Sequence, residues 1–194
     1  MASPRIVFLN GSPSAGRTTI ARALHRHLDE PFWYLSLDDF RAGYLEAHWR
    51  LRTPRLFPRV LDGWERSLRE LALAGNELIA ETIITPDTAR GYTDLFGEFT
   101  VYFIGIRCPL KIAQEREADR SDRIDRMDRM DRMDRMDRMD RMDLDTPEFY
   151  AVHAHSGYDL EIDSSVISPD TAAARIIELL KSQPSPSAFG RLAR

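Results

Sequence analysis

Cysteine is nearly absent: the 194 residues contain one, Cys108, so no internal disulfide framework can hold the fold. Cys108 ends an apolar run, which reads as a buried free thiol rather than a nucleophile. Long hydrophobic runs are absent too. No window approaches the ~18 apolar residues of a membrane span, and no charged n-region with a long apolar h-region opens the chain. These absences lead us to expect a soluble, cytoplasmic protein without a membrane partner. Excess positive charge is also lacking. A net charge of −4 argues against bulk affinity for nucleic acid or anionic lipid, and nucleic acid is an unlikely partner. Hydrophobic content of 43% over this length fits one domain with a sizeable core.

What is present begins at residues 6–19, IVFLNGSPSAGRTT. A short apolar run stops at Asn10. A loop then holds Gly11, Ser12, Pro13, Ser14, Ala15 and Gly16, and a helical pattern starts near Arg17, Thr18 and Thr19. This is the layout of a phosphate-binding P-loop, with arginine where lysine is expected. Glycines at both ends allow successive N–H groups to converge on a phosphate, and the helix N-terminus adds partial positive charge. The Thr18 hydroxyl is placed for Mg2+. A strand–helix turn that binds nothing is the bland alternative, and Arg17 keeps it open.

Five short apolar runs predict strands: Arg5 to Asn10, Trp33 to Leu37, Leu78 to Thr82, Val101 to Arg107 and Tyr158 to Asp163. Such runs suit a parallel sheet covered on both faces. Helical patterns fall between them at Thr18 to Leu28, Val60 to Ala74 and Asp87 to Phe96, with a last helix through Leu180 capped by Ser168 and Pro169. Gly75-Asn76 stops the second. The expected architecture is a three-layer α/β domain over residues 1–181 with a five-stranded parallel sheet. Residues 182–194 read as a disordered tail.

Residues 125–142 are six uninterrupted Asp-Arg-Met triplets. On a helix each triplet turns by about 300°, so no fixed apolar face results. A solvated charged helix is expected, and seven aspartates from Asp125 to Asp143 offset its arginines against nucleic acid.

Several residues could carry chemistry. Asp38, at the end of the second strand pattern, would sit at the carboxyl edge of the sheet beside the loop, where a carboxylate can take a proton from a substrate hydroxyl. Asp39 reads as a cap or surface acid. Glu81, ending the third strand, can hold the Mg2+ shell or orient substrate, or pair with an arginine. After the fourth strand, Arg116, Arg120 and Arg123 share one helix face, as in a lid that closes over phosphates. Residues 40–59 contain Tyr44, His48, Trp49, Arg50 and Arg55, a composition suited to a pocket wall. His153 and His155 read as structural.

With LNGSPSAGRTT, EPFWYLSLDDF, AGNELIAET, IGIRCPLKIAQEREADRSDR and YAVHAHSGYDLEIDSS, the chain resembles the chloramphenicol phosphotransferase-like family of P-loop kinases over residues 6–174. The resemblance implies the P-loop kinase fold, ATP and Mg2+, and phosphoryl transfer to a small-molecule hydroxyl, often an antibiotic. It implies a base at Asp38, a phosphate loop at Gly11, Gly16, Arg17 and Thr18, and lid arginines at Arg116, Arg120 and Arg123. Glu81 stands where the family has aspartate. The triplet tract looks like an insertion in the lid region, residues 109–146. Two other readings stay open: a P-loop kinase of a nucleoside, sugar nucleotide or metabolite, and a nucleotide-binding module with little catalysis. The oligomeric state is not legible.

Overall fold

The structure is a computed structural model describing residues 3–41, 46–127, 147–155 and 157–192; the side chains at 41, 46–55, 120–127 and 148 fall outside that description. Five strands, β1 (Arg5–Gly11), β2 (Phe32–Leu35), β3 (Glu77–Thr82), β4 (Thr100–Arg107) and β5 (Leu160–Asp163), form one sheet in the order β2-β3-β1-β4-β5. Every pairing is parallel. The helices are α1 (Arg17–His27), α2 (Leu37–Arg41), α3 (Glu46–Leu73), α4 (Pro86–Phe96), α5 (Leu110–Met127), α6 (Pro147–Ala151) and α7 (Pro169–Ser182).

The apolar runs are explained by burial on both faces. Ile6, Val7, Phe8 and Leu9 are all fully buried, yet alternate between two cores. Val7 and Leu9 pack with Leu24 of α1, Ala113 of α5 and Ile176 of α7. Ile6 and Phe8 pack with Trp64 of α3 and Phe96 of α4. Phe8 meets Phe96 and Tyr92 edge-on, at 5.1 and 5.9 Å between ring centroids. Among the described residues no helix is long and apolar enough to cross a membrane.

Four expectations change. β2 ends at Leu35, because the Ser36 Oγ accepts the Asp38 N–H at 3.2 Å and the Ser36 carbonyl accepts the Phe40 N–H at 3.0 Å, opening α2. Asp38 therefore lies in the first turn of a helix, not at a strand end. β5 starts at Leu160 rather than Tyr158, since the Asp159 carboxylate accepts the Phe103 N–H at 2.9 Å. α3 is 28 residues long and runs through Pro54 and Pro58, so much of the expected 40–59 segment is helical backbone. The tail does not follow the expectation of disorder through residue 192. A 3-10 turn spans Phe189–Arg191, and Phe189 is buried against Phe8 and Phe103. The Asp159 carboxylate holds that turn through the Ser187 and Ala188 N–H groups, at 3.0 Å each. Burial of Ala188 and Phe189 outweighs the serine and proline composition around them. Of the triplet tract, residues 125–127 end α5; residues 128–146 lie outside the described residues.

Candidate active site

The loop between β1 and α1 adopts the backbone expected of its glycines. Gly16 has φ +91° and serves as N-cap of α1, and Ser14 is also left-handed at φ +57°. No acidic residue belongs to the first turn of α1, while the Glu117 and Glu81 carboxylates accept from the Ser14 and Thr18 hydroxyls. Ser12 and Ala15 are buried, Pro13 is half-buried, and Thr19 is exposed on the first turn.

The other chemistry-bearing residues come from the carboxyl ends of β2 and β3, where ligands of open parallel sheets bind. Thr18 Oγ1 donates to Glu81 Oε2 at 2.9 Å, joining α1 to the end of β3. Tyr34 of β2 donates to the other Glu81 oxygen, Oε1, at 2.6 Å. Burial and this bond raise the Tyr34 pKa, so the phenol remains a donor. Thr18 and Glu81 thus bring two hard oxygen ligands together, which suits Mg2+. Among the described residues no cluster of three His, Cys, Asp or Glu side chains could hold a metal. Mg2+ in phosphate sites takes few protein ligands and needs no such cluster.

Arg17 does not point along the loop. Its Nη1 donates to the Thr82 carbonyl at 2.5 Å, at the end of β3. Desolvation lowers its pKa, opposed by Glu81 and Asp38, whose negative charges lie close enough to act on it. An arginine guanidinium keeps its charge in proteins. Asp38 is exposed beside it.

Arg116 is engaged elsewhere than expected of a lid. Its Nη1 donates to Ser164 Oγ at 2.9 Å and to the Ala15 carbonyl at 3.4 Å, and its Nη2 to the Ser164 carbonyl at 2.7 Å. It clasps the phosphate loop to the turn after β5, and its Nη1 would lie 3.4 Å from a Cβ on Gly16. Cys108 is a buried free thiol 3.5 Å from Arg116, its pKa raised chiefly by desolvation. Arg120 and Arg123 lie on α5, but their side chains are outside the described residues, as are those of Tyr44, His48, Trp49, Arg50 and Arg55.

The sequence reading missed Tyr34, Ser164, Asn10 and Tyr158. Tyr34 carried no local signal: only the folded register, in which it pairs with Ile79, two residues before Glu81, puts both polar groups on the α1 face. Asn10 is fully buried at the end of β1. Its Oδ1 accepts the Ile84 N–H at 2.7 Å, and its Nδ2 donates to the Val152 carbonyl and the Tyr158 hydroxyl at 3.0 Å each. It ties the segment before β5 to the phosphate-loop strand.

His153 Nδ1 lies 2.6 Å from the Tyr158 hydroxyl, while its buried Nε2 has no hydrogen-bond partner among the described residues. Burial, with repulsion from Arg107 and His155, pushes its pKa down to about 4, Glu161 opposing. His155 is lowered also, again chiefly by burial. A folded-state pKa below the unfolded value of about 6.5 means that unfolded chains take up the proton first. The neutral rings' contribution to stability is therefore complete above pH ~6.5 and lost as pH falls toward 4. Thermal unfolding followed across pH 8 to 4 should show Tm falling only below about pH 6.5, with a shallower fall in His153→Leu.

No functionally curated protein sequence matches the chain. Solved structures with the same fold include the APS kinase of Mycobacterium tuberculosis, solved with AMPPNP and APS (16% identity, 94% of this chain and 100% of that one, TM-score 0.61). Shikimate kinase from Aquifex aeolicus aligns over 92% of this chain and 98% of its own (16% identity, TM-score 0.57). The tunicamycin resistance protein of Deinococcus radiodurans aligns over 91% and 95% (16% identity, TM-score 0.54). The sequence model of the chloramphenicol phosphotransferase-like proteins matches residues 4–181. With its phosphate loop, parallel sheet order and strand-end acid, the chain belongs to the chloramphenicol phosphotransferase-like family and has the P-loop kinase fold.

Proposed function

We propose that this protein transfers the γ-phosphate of ATP to a hydroxyl of a small molecule, with hydroxylated antibiotics the first acceptor class to test. The observation that carries this reading is the 2.9 Å bond from Thr18 to Glu81, which couples the phosphate loop to an acid at the end of the neighbouring strand. A turn that binds nothing has no need of that coupling.

In the proposed reaction the backbone of residues 11–18 and the N-terminus of α1 hold the triphosphate, Gly11, Gly16 and Thr18 shaping that cradle. Thr18 and Glu81 would hold Mg2+, which would supply charge neutralisation at the triphosphate. Asp38 accepts the proton of the attacking hydroxyl. Arg17, on which the charges of Asp38 and Glu81 both act, stabilises charge developing on the transferring group. Arg116 keeps the loop against the turn after β5. Labelled ATP with Mg2+, offered a panel of hydroxylated antibiotics, nucleosides and metabolites, tests this: phosphorylated product is expected from at least one acceptor. A wild-type protein that binds no ATP overturns the reading.

One observation favours a second reading. The Arg17 guanidinium is turned onto the Thr82 carbonyl, and a planar fork does not replace a compact ammonium at the phosphates. A nucleotide-binding module of low turnover would carry such an arginine. Arg17→Lys separates the two readings. A catalytically adapted arginine loses kcat on this substitution, whereas a weakened kinase gains it, both read in initial rates with the acceptor found.

A further inference from the structure

The phenol of Tyr34 was not among the residues expected to act, yet it meets the acid at the centre of the proposed site. Glu81 has two oxygens, and both are engaged by hydroxyl donors: Oε2 by Thr18 at 2.9 Å and Oε1 by Tyr34 at 2.6 Å. The donors come from different elements, α1 and β2, separated from Glu81 by 63 and 47 residues. A carboxylate held at one oxygen can still rotate about its Cγ–Cδ bond; held at both, its plane is set.

The strand register makes this arrangement specific. Tyr34 pairs with Ile79, so its side chain and that of Glu81, two residues on, emerge on the same face as α1. The Tyr34 ring packs against the core under α1 and lies 6.2 Å from the His25 ring, which fixes the direction of its hydroxyl. Arg17 bonds to the Thr82 carbonyl rather than to Glu81, leaving Tyr34 and Thr18 to orient the carboxylate.

We propose that Tyr34 is a positioning residue for the metal: by holding Glu81 Oε1 it aims Glu81 Oε2 at the Thr18 hydroxyl and so at the cation's coordination shell. The inference rests on the proposed function, since it presumes that Thr18 and Glu81 receive Mg2+ with a nucleotide. Thr18 keeps its proton for Glu81 while its lone pairs are offered to the cation, so the same bond serves with metal bound. Removing the phenolic oxygen frees the carboxylate to turn, and metal affinity falls although no metal ligand has changed.

The test is Tyr34→Phe, which keeps the packed ring and removes only the hydroxyl. Binding of a fluorescent ATP analogue is titrated with Mg2+ at fixed nucleotide, and again in EDTA. The half-saturating Mg2+ concentration is expected to rise about tenfold, with EDTA-state binding and Tm unchanged. In a Glu81→Gln background, Tyr34→Phe should add no further shift. An unchanged Mg2+ midpoint, or an equal shift with and without Glu81, overturns the positioning role while leaving the proposed function standing. A wild-type protein that binds the analogue in neither condition overturns the proposed function and this inference together.

Discussion

Asp38→Asn is expected to transfer phosphate about 100- to 10,000-fold more slowly than the unsubstituted protein and to bind ATP equally well. The asparagine has the same shape and keeps the Asp38 N–H bond to Ser36 Oγ that opens α2, so the fold is untouched. What it loses is the capacity to accept a proton from the attacking hydroxyl. Asp38 is exposed just beyond the carboxyl end of β2, and its charge, like that of Glu81, acts on Arg17. Initial rates with labelled ATP and the acceptor, beside a binding titration of ATP, check the result. Full turnover in Asp38→Asn reassigns the base, and a matching loss of ATP affinity makes Asp38 a binding group.

Gly11→Ala strikes the same site through packing. A Cβ at Gly11 would lie 2.6 Å from the Ile106 carbonyl oxygen and 3.3 Å from the Ile106 Cβ, and Ile106 is its register partner on β4. Neither atom belongs to the free end of a flexible side chain. The strands must part where the phosphate loop begins, carrying the Arg17 stem, 3.5 Å away, with them. The expected cost is about 1–3 kcal/mol, a Tm lower by about 2–12 °C, together with weakened nucleotide binding. Gly63→Ala is the control. No atom lies within 4 Å of its added Cβ, and in the middle of α3 the change should hold or raise Tm. Equal behaviour of the two variants in thermal unfolding would remove close packing as the reason for glycine at position 11.

Local signals in the sequence carried far. The caps needed only their neighbours: Ser168 Oγ accepts the Thr171 N–H at 3.1 Å, and Gly75, at φ +91°, ends α3 with the Asn76 N–H on the Leu71 carbonyl at 3.2 Å. The apolar runs gave all five strands and their parallel sheet, because strands covered on both faces cannot alternate. Signals failed where a distant partner intervened. Composition favoured disorder after Ser182, but Phe189 finds Phe8 and Phe103, and Asp159 receives the backbone before it. The second helix, expected from Val60, starts at Glu46 and passes through Pro54 and Pro58.

For the site, the division follows the range of the forces. The amino-acid sequence by itself determined the loop of residues 11–16 and the helix start behind it, since left-handed φ at Gly16 and the free N–H groups of α1 are properties of a few consecutive residues. It also put acids at Glu81 and Asp38 and identified the family. Only the tertiary structure decided what those groups touch. Glu81 lies between Thr18 and Tyr34, Arg17 turns to the Thr82 carbonyl, and Arg116 clasps Ala15 to Ser164. Each contact depends on which strands lie side by side. The order β2-β3-β1-β4-β5 places β3 between β1 and β2, and no local pattern encodes that adjacency. The order is set by how two apolar faces are buried at once, and side chains 47 to 101 residues apart meet as its consequence.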